Sequence, residues 1–224
     1  LWDAPNLTFI AANFAYIANH LKLEGIKSVD GILADLGVSS HQFDIEARGF
    51  SIRGNADLDM RMNQDGTLSA KEVVNDYSEQ ELLRVLRSYG EITNAWKLVN
   101  TIISARSSKK IITTKQLIDS TYQCAPKHKE NRYFAQVFQA IRIEVNDEMG
   151  VLESFLKVTE KVIKPGGRLV VMSYHSLEDR MIKNFMKRGS ISGEIEKDFY
   201  GNVLKPYTEV IRKPIIPKEE EIER

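Results

Sequence analysis

One cysteine and four histidines among 224 residues leave little material for disulfide or metal chemistry. A lone Cys124 excludes an internal disulfide framework and fits a reducing compartment. The histidines and the cysteine show no ligand spacing, so no metal site is expected. No apolar run approaches the roughly 18 residues that cross a bilayer, and no secretory leader is visible, which points to a cytoplasmic protein. Two catalytic signatures are absent as well: a Gly-rich loop after the first strand and a Gly-x-Ser-x-Gly elbow. There is no internal repeat or low-complexity tract.

What is present is an ordinary globular composition, 42% apolar and 28% charged, at a length that can bury a sizeable core. The net charge of zero hides an asymmetry. Between Arg84 and Arg132 there are ten Lys/Arg against three Asp/Glu, a local balance of +7. A basic middle suits a polyanionic partner; a solvated helical surface is the plainer reading.

Along the chain, Asn6-Leu-Thr-Phe-Ile-Ala11 reads as a strand, 16–23 as a helix and 29–34 as a second, more apolar strand. Apolar strands separated by a helix suggest parallel strands in a covered sheet. Residues 48–62 have no sustained period and read as a long loop, whose Met and Phe content argues for packing over disorder. From 69 to about 127 the pattern is helical, with a capping box at Ser78 and Glu81 and a start at Thr113 or Thr114. Helices without strands, interrupting an α/β rhythm, look like an inserted lobe. Two more helical stretches follow, over 134–145 and 152–163. Lys164-Pro-Gly-Gly167 then stops the second of these helices ahead of a buried strand over 168–174. A helix over 177–188 and a late strand over 207–211 complete the reading. The expected segmentation is 1–68 and 131–224 for the α/β part, with 69–130 as the inserted lobe.

The candidate site lies where the apolar run Gly31-Ile-Leu-Ala34 ends in Asp35 and a Gly/Ser turn follows, because open α/β sheets bind ligands beyond the carboxyl ends of their strands. The plainer reading makes Asp35 a turn cap. His175, at the end of the later strand, reads either as a general base or as a structural hydrogen-bonder. A hydrolase triad of Ser39 or Ser40, His175 and Asp179 is disfavoured, since Asp179 sits one helical turn from His175.

Four runs taken together are more specific. They are Asp35-Leu-Gly-Val-Ser-Ser40 with Gln42 and Asp44; Arg48-Gly-Phe-Ser51 with Leu58-Asp-Met-Arg-Met62; Phe138-Gln-Ala-Ile-Arg-Ile143 with Val145, Asn146 and Glu148; and Ser173-Tyr-His-Ser-Leu-Glu-Asp-Arg180. In this order the chain resembles the bacterial methyltransferases that modify N4 of a cytosine in small-subunit ribosomal RNA, the MraW family. The resemblance implies an α/β fold: a Rossmann-like S-adenosylmethionine-dependent methyltransferase sheet, incomplete at the N-terminus, with an inserted all-α lobe. Members open with a strand and a Gly-Gly-His-Ser type cofactor loop that this chain does not contain.

By the same resemblance, Phe14 packs beside the cofactor adenine, while Asp35 and Gln42 make polar contacts to S-adenosylmethionine. Asp35, Ser39 and Ser40 are expected near the reacting amino group. Arg53, Arg61, Arg106, Lys109, Lys110 and Arg132 are expected on RNA, with Arg48, Lys127 and Lys129 as further cations. The implied partner is 16S ribosomal RNA within the small subunit, with no membrane; both a monomer and a homodimer stay open. The competing reading is a non-catalytic RNA-binding or ribosome-assembly module on the same fold.

Overall fold

A computed structural model describes residues 6–37, 48–211, 215–216 and 219–222. The chain divides into two compact units, one of Leu1–Asp35 with Leu152–Arg224 and the other of Leu36–Val151. Among the described residues no helix is long and apolar enough to cross a membrane.

The first unit is built on a parallel strand pair. A 3-10 turn, Phe14–Tyr16, leads into α1, Ile17–Leu23, which is followed by β1, Val29–Asp35. The partner strand β2, Ile163–Met172, runs parallel, with Ile32 opposite Leu169, Ala34 opposite Val171 and Asp35 opposite Met172. Val29 pairs with Ile163 but Gly31 already pairs with Arg168, so Lys164-Pro-Gly-Gly167 bulges out of the ladder. Glycine is needed there twice. Gly166 takes φ +80, and a Cβ on Gly167 would stand 2.7 Å from the Asp30 carbonyl oxygen.

The sheet differs from the covered one expected. Ile32, Ala34, Leu169 and Val171 share the inner face, whereas Leu33, Val170 and Met172 are exposed on the other, Leu33 by 69%. Residues 6–11 and 207–211, read as strands from their apolar content, form none. A strand needs a partner ladder for its backbone groups, and neither segment pairs with β1 or β2.

The second unit is helical: α2, Ala70–Asp76; α3, Glu79–Ser88; α4, Ala95–Ser108; α5, Thr114–Thr121; and α6, Glu130–Asn146. Three of the starts are reciprocal capping boxes, Ser69 with Glu72, Ser78 with Glu81 and Thr113 with Gln116. Replacing Ser78 with alanine is expected to destabilise the protein by about 1 kcal/mol, read from the urea midpoint.

The core joins Val73, Val85, Leu98, Ile102 and Leu117 to Val137, Phe138 and Ile141 of α6. The compact helical unit is therefore wider at both ends than the 69–130 insert read from periodicity. It takes in α6 and also residues 48–62, which have no regular structure yet bury Leu58 and Met60 completely. Asn146 holds this segment with one side chain. Its amide donates to the Met60 carbonyl at 2.8 Å and its Oδ1 accepts the Met62 N–H at 2.6 Å. The next helix, α7, Glu148–Val162, feeds directly into β2. After it comes α8, Ser176–Arg188, which ends at left-handed Gly189, and a short α9, Glu219–Ile222, lies near the end of the chain.

Candidate active site

The parallel pairing of β1 and β2 brings two strand carboxyl ends together, the edge where α/β sheets bind ligands. Asp35 is exposed at this edge, on the same face as Leu33, Val170 and Met172. Because Asp35 lies opposite Met172, Tyr174 stands two residues further on, and its phenol donates to Asp35 Oδ1 at 2.7 Å. This hydrogen bond, with some desolvation and the carboxylate charge, raises the Tyr174 phenol above its ordinary value and keeps it a donor near neutrality. Asp35 Oδ2 has no hydrogen-bond partner among the described residues, and Tyr174 is 70% exposed. A carboxylate is thus oriented through one oxygen and open at the other.

The backbone beneath Tyr174 is fixed by a cap. His175 is the N-cap of α8; its Nδ1 accepts the Glu178 N–H at 3.4 Å, which puts the ring proton on Nε2, 3.3 Å from Glu178 Oε1. Glu178, only 3% exposed, also accepts the Tyr174 N–H at 3.0 Å. Of the two readings of His175, this geometry is that of the structural hydrogen-bonder. Burial opposes ionisation of Glu178. The hydrogen bonds from His175 and from the Tyr174 backbone outweigh it and hold the carboxyl below 4.5.

A depressed folded value stabilises the fold above the unfolded value and loses that contribution as pH falls through the folded one. Glu178→Gln is therefore expected to flatten the acid-side fall in stability below about pH 4.5, compared by urea melts across that range.

Phe14 packs edge-to-face on Phe155, centroids 5.2 Å apart, with its ring part-exposed. Ser39, Ser40, Gln42 and Asp44 lie outside the described residues. The cations divide. Arg53, Lys109, Lys110 and Arg132 are exposed. Arg61 is committed inside its own loop, to both Asp59 oxygens at 2.7 and 3.0 Å and to the carbonyls of Gln64 and Gly66. Arg106 donates to the Val74 carbonyl at 2.8 Å, and Arg48 donates to the carbonyls of Arg61 and Met62. These three guanidiniums shape the helical unit from within.

The sequence places Tyr174, with His175 and Ser176, at this sheet edge as a pocket-lining residue, but does not show it as the partner of Asp35. The signal was its position two residues past the partner of Asp35, which only the strand register reveals.

The described residues suit an adenosyl cofactor in kind: a part-exposed ring can face a purine, and an exposed carboxylate can accept from an amino group. A helix feeding a parallel strand pair is the crossover element of a Rossmann-like α/β fold. The sequence matches the profile of the MraW methylase family over residues 3–224, and the chain belongs to that family of methyltransferases. Three relatives each bear the name ribosomal RNA small subunit methyltransferase H. The one from Flavobacterium johnsoniae is 53% identical over 215 residues, 96% of this chain and 71% of its own length. The one from Cytophaga hutchinsonii is 50% identical over 220 residues, 98% and 74%. The one from Amoebophilus asiaticus is 48% identical over 221 residues, 99% and 71%.

Proposed function

We propose that this protein methylates the N4 amino group of a cytosine in 16S ribosomal RNA, acting on the small ribosomal subunit in the cytoplasm. The observation that carries the reading is Asp35, exposed at the carboxyl end of β1 and oriented by Tyr174, in a chain of the MraW methylase family. S-adenosylmethionine, when bound, supplies an electrophilic methyl group on a sulfonium sulfur. Phe14 is assigned to the adenine face and Gln42 to a polar contact with the cofactor.

The chain's own task follows from the nucleophile. The cytosine N4 lone pair is delocalised into the ring, so the amino group is planar and unreactive. Acceptors aimed at its two hydrogens favour a pyramidal nitrogen with a localised lone pair. Asp35 Oδ2 is assigned to one N4–H, since Oδ1 is already engaged by Tyr174. Ser39 and Ser40 are assigned as neighbouring acceptors. Alignment and preorganised electrostatics supply the acceleration, without a strong base. Once methylated, the nitrogen is cationic and strongly acidic, and its proton leaves to Asp35 or to water. The base must be turned out of its stack to reach this edge. The exposed cations Arg53, Lys109, Lys110 and Arg132 are assigned to phosphates.

The test is transfer of tritium from methyl-labelled S-adenosylmethionine to small ribosomal subunits by the full-length protein. Label in the RNA is expected. A folded protein that binds the cofactor calorimetrically and transfers none contradicts the proposal.

A further inference from the structure

Beyond α8 the chain turns back on itself as a short hairpin. Lys197 pairs antiparallel with Val203, and the Leu204 N–H donates to the Glu196 carbonyl at 2.9 Å. The Asp198 N–H donates to the Asn202 carbonyl, also at 2.9 Å. The hairpin is seated on the end of α8, where left-handed Gly189 leaves no room for a Cβ against the Leu204 carbonyl oxygen. Its tip is the turn from Asp198 to Gly201, closed by the Gly201 N–H donating to the Asp198 carbonyl at 3.0 Å.

The tip is braced from within. Asp198 Oδ1 accepts the N–H of Tyr200 at 2.9 Å and that of Asn202 at 2.8 Å, and its Oδ2 accepts the Asn202 amide at 2.9 Å. These bonds, the Asn202 side chain first, hold the Asp198 carboxyl below its ordinary value and keep it ionised near neutrality.

The two corner positions of this braced turn are Phe199 and Tyr200. Turn corners ordinarily carry Gly, Pro, Asn, Asp or Ser, which supply the backbone geometry. Two aromatic rings supply none of it. They are 98% and 85% exposed and meet edge-to-face, with centroids 5.6 Å apart. Large rings on a backbone that is already ordered are the usual anchors of protein interfaces, because little freedom remains to be lost on docking.

Charge selects the occupant. Glu194, Glu196 and Asp198 lead into the tip with only Lys197 among them, and both glutamates are exposed. Phosphates are repelled by such a surface, and a second copy docking the same tip symmetrically would set like charges face to face. A basic protein surface with an apolar pocket is complementary in both respects. Proteins that bind RNA are rich in Lys and Arg, so a ribosomal subunit offers partners of this kind.

We propose that this hairpin docks the enzyme on a basic protein of the small ribosomal subunit, with Phe199 and Tyr200 in an apolar pocket and Glu194 and Glu196 facing Lys or Arg around it. The proposal rests on the small-subunit reading given above and gives that substrate a protein contact apart from its RNA.

The probe is full-length protein carrying p-benzoylphenylalanine in place of Phe199, irradiated on purified small subunits. A crosslink to a Lys/Arg-rich subunit protein is expected. Crosslinks confined to RNA, to a second copy or to an acidic subunit protein overturn the proposal, as does their absence from a protein that still transfers label. In steady-state transfer to small subunits, Phe199→Ala combined with Tyr200→Ala should raise KM about tenfold with kcat unchanged. The urea midpoint should not move, since neither ring is buried.

Glu194→Gln combined with Glu196→Gln should raise KM about threefold at low salt, a difference that closes as salt is added. Against phosphates the same pair would lower KM, which overturns the proposal, as does an unchanged KM in both variants. Absence of label transfer by the unsubstituted protein would instead count against the function, whereas normal transfer with no effect at the tip removes only the docking surface.

Discussion

Asp35→Asn lowers kcat for methyl transfer by about a hundredfold while leaving thermal unfolding essentially unchanged. The two halves of this expectation have separate grounds. Asp35 is exposed at the last residue of β1, and its only side-chain hydrogen bond among the described residues comes from Tyr174. An amide can still accept that bond through its oxygen, so little folding energy is at stake. The other atom becomes an NH₂ group, a donor facing the N4 hydrogens where the mechanism requires an acceptor. Losing one preorganised electrostatic contact to a reacting group typically costs a factor of about 100 to 1,000 in kcat. Single-turnover transfer on small subunits, at saturating cofactor, separates this from weaker binding. An unchanged single-turnover rate would move Asp35 out of the reaction and back to the turn cap that the sequence alone allowed.

The largest effect on stability is expected at Arg142. Its guanidinium meets Glu148 through two parallel bonds, Nε to Oε1 at 2.7 Å and Nη2 to Oε2 at 3.0 Å. The side chains are only 13% and 9% exposed, so the pair is largely desolvated. Together they span the break between α6 and α7, where Asp147 takes a left-handed backbone at φ 47. Arg142→Met removes the bidentate partner of a largely buried carboxylate and should cost about 3 kcal/mol. Converting both residues to apolar ones of similar volume should recover most of the loss, because neither charge then has to be desolvated. Urea melts of the two singles and the double give the coupling energy directly. Full additivity would mean that the pair contributes nothing beyond its packing.

How far the chain could be read beforehand follows from the same physics. The parallel strand pair was legible because Gly31 to Ala34 and Leu169 to Val171 are apolar runs bounded by turn residues. The helical starts at Ser78 and Thr113 were legible because a cap is a local event. The start at Ser69, three residues ahead of Glu72, falls where the helical pattern is read to begin. Residues 6–11 and 207–211 misled because apolar composition measures β-propensity, not the presence of a neighbouring strand.

Asp35 was identifiable as a strand-end carboxylate, but its partner Tyr174 lies 139 residues away and depends on register. The arginines show the reverse problem. Arg61 and Arg106 are indistinguishable in sequence from Arg53, and only their bonds to backbone carbonyls reveal that they face inward. The reach of the helical unit to α6 was equally hidden, since amphipathic spacing shows which face is buried and not what it packs against.

The most direct test of the central claim is the chemical identity of the product. Small-subunit RNA labelled by the full-length protein is digested to nucleosides and separated against standards by mass spectrometry. The label is expected to run as N4-methylcytidine. Label on carbon 5 of the pyrimidine, on the ribose or on another base would contradict it.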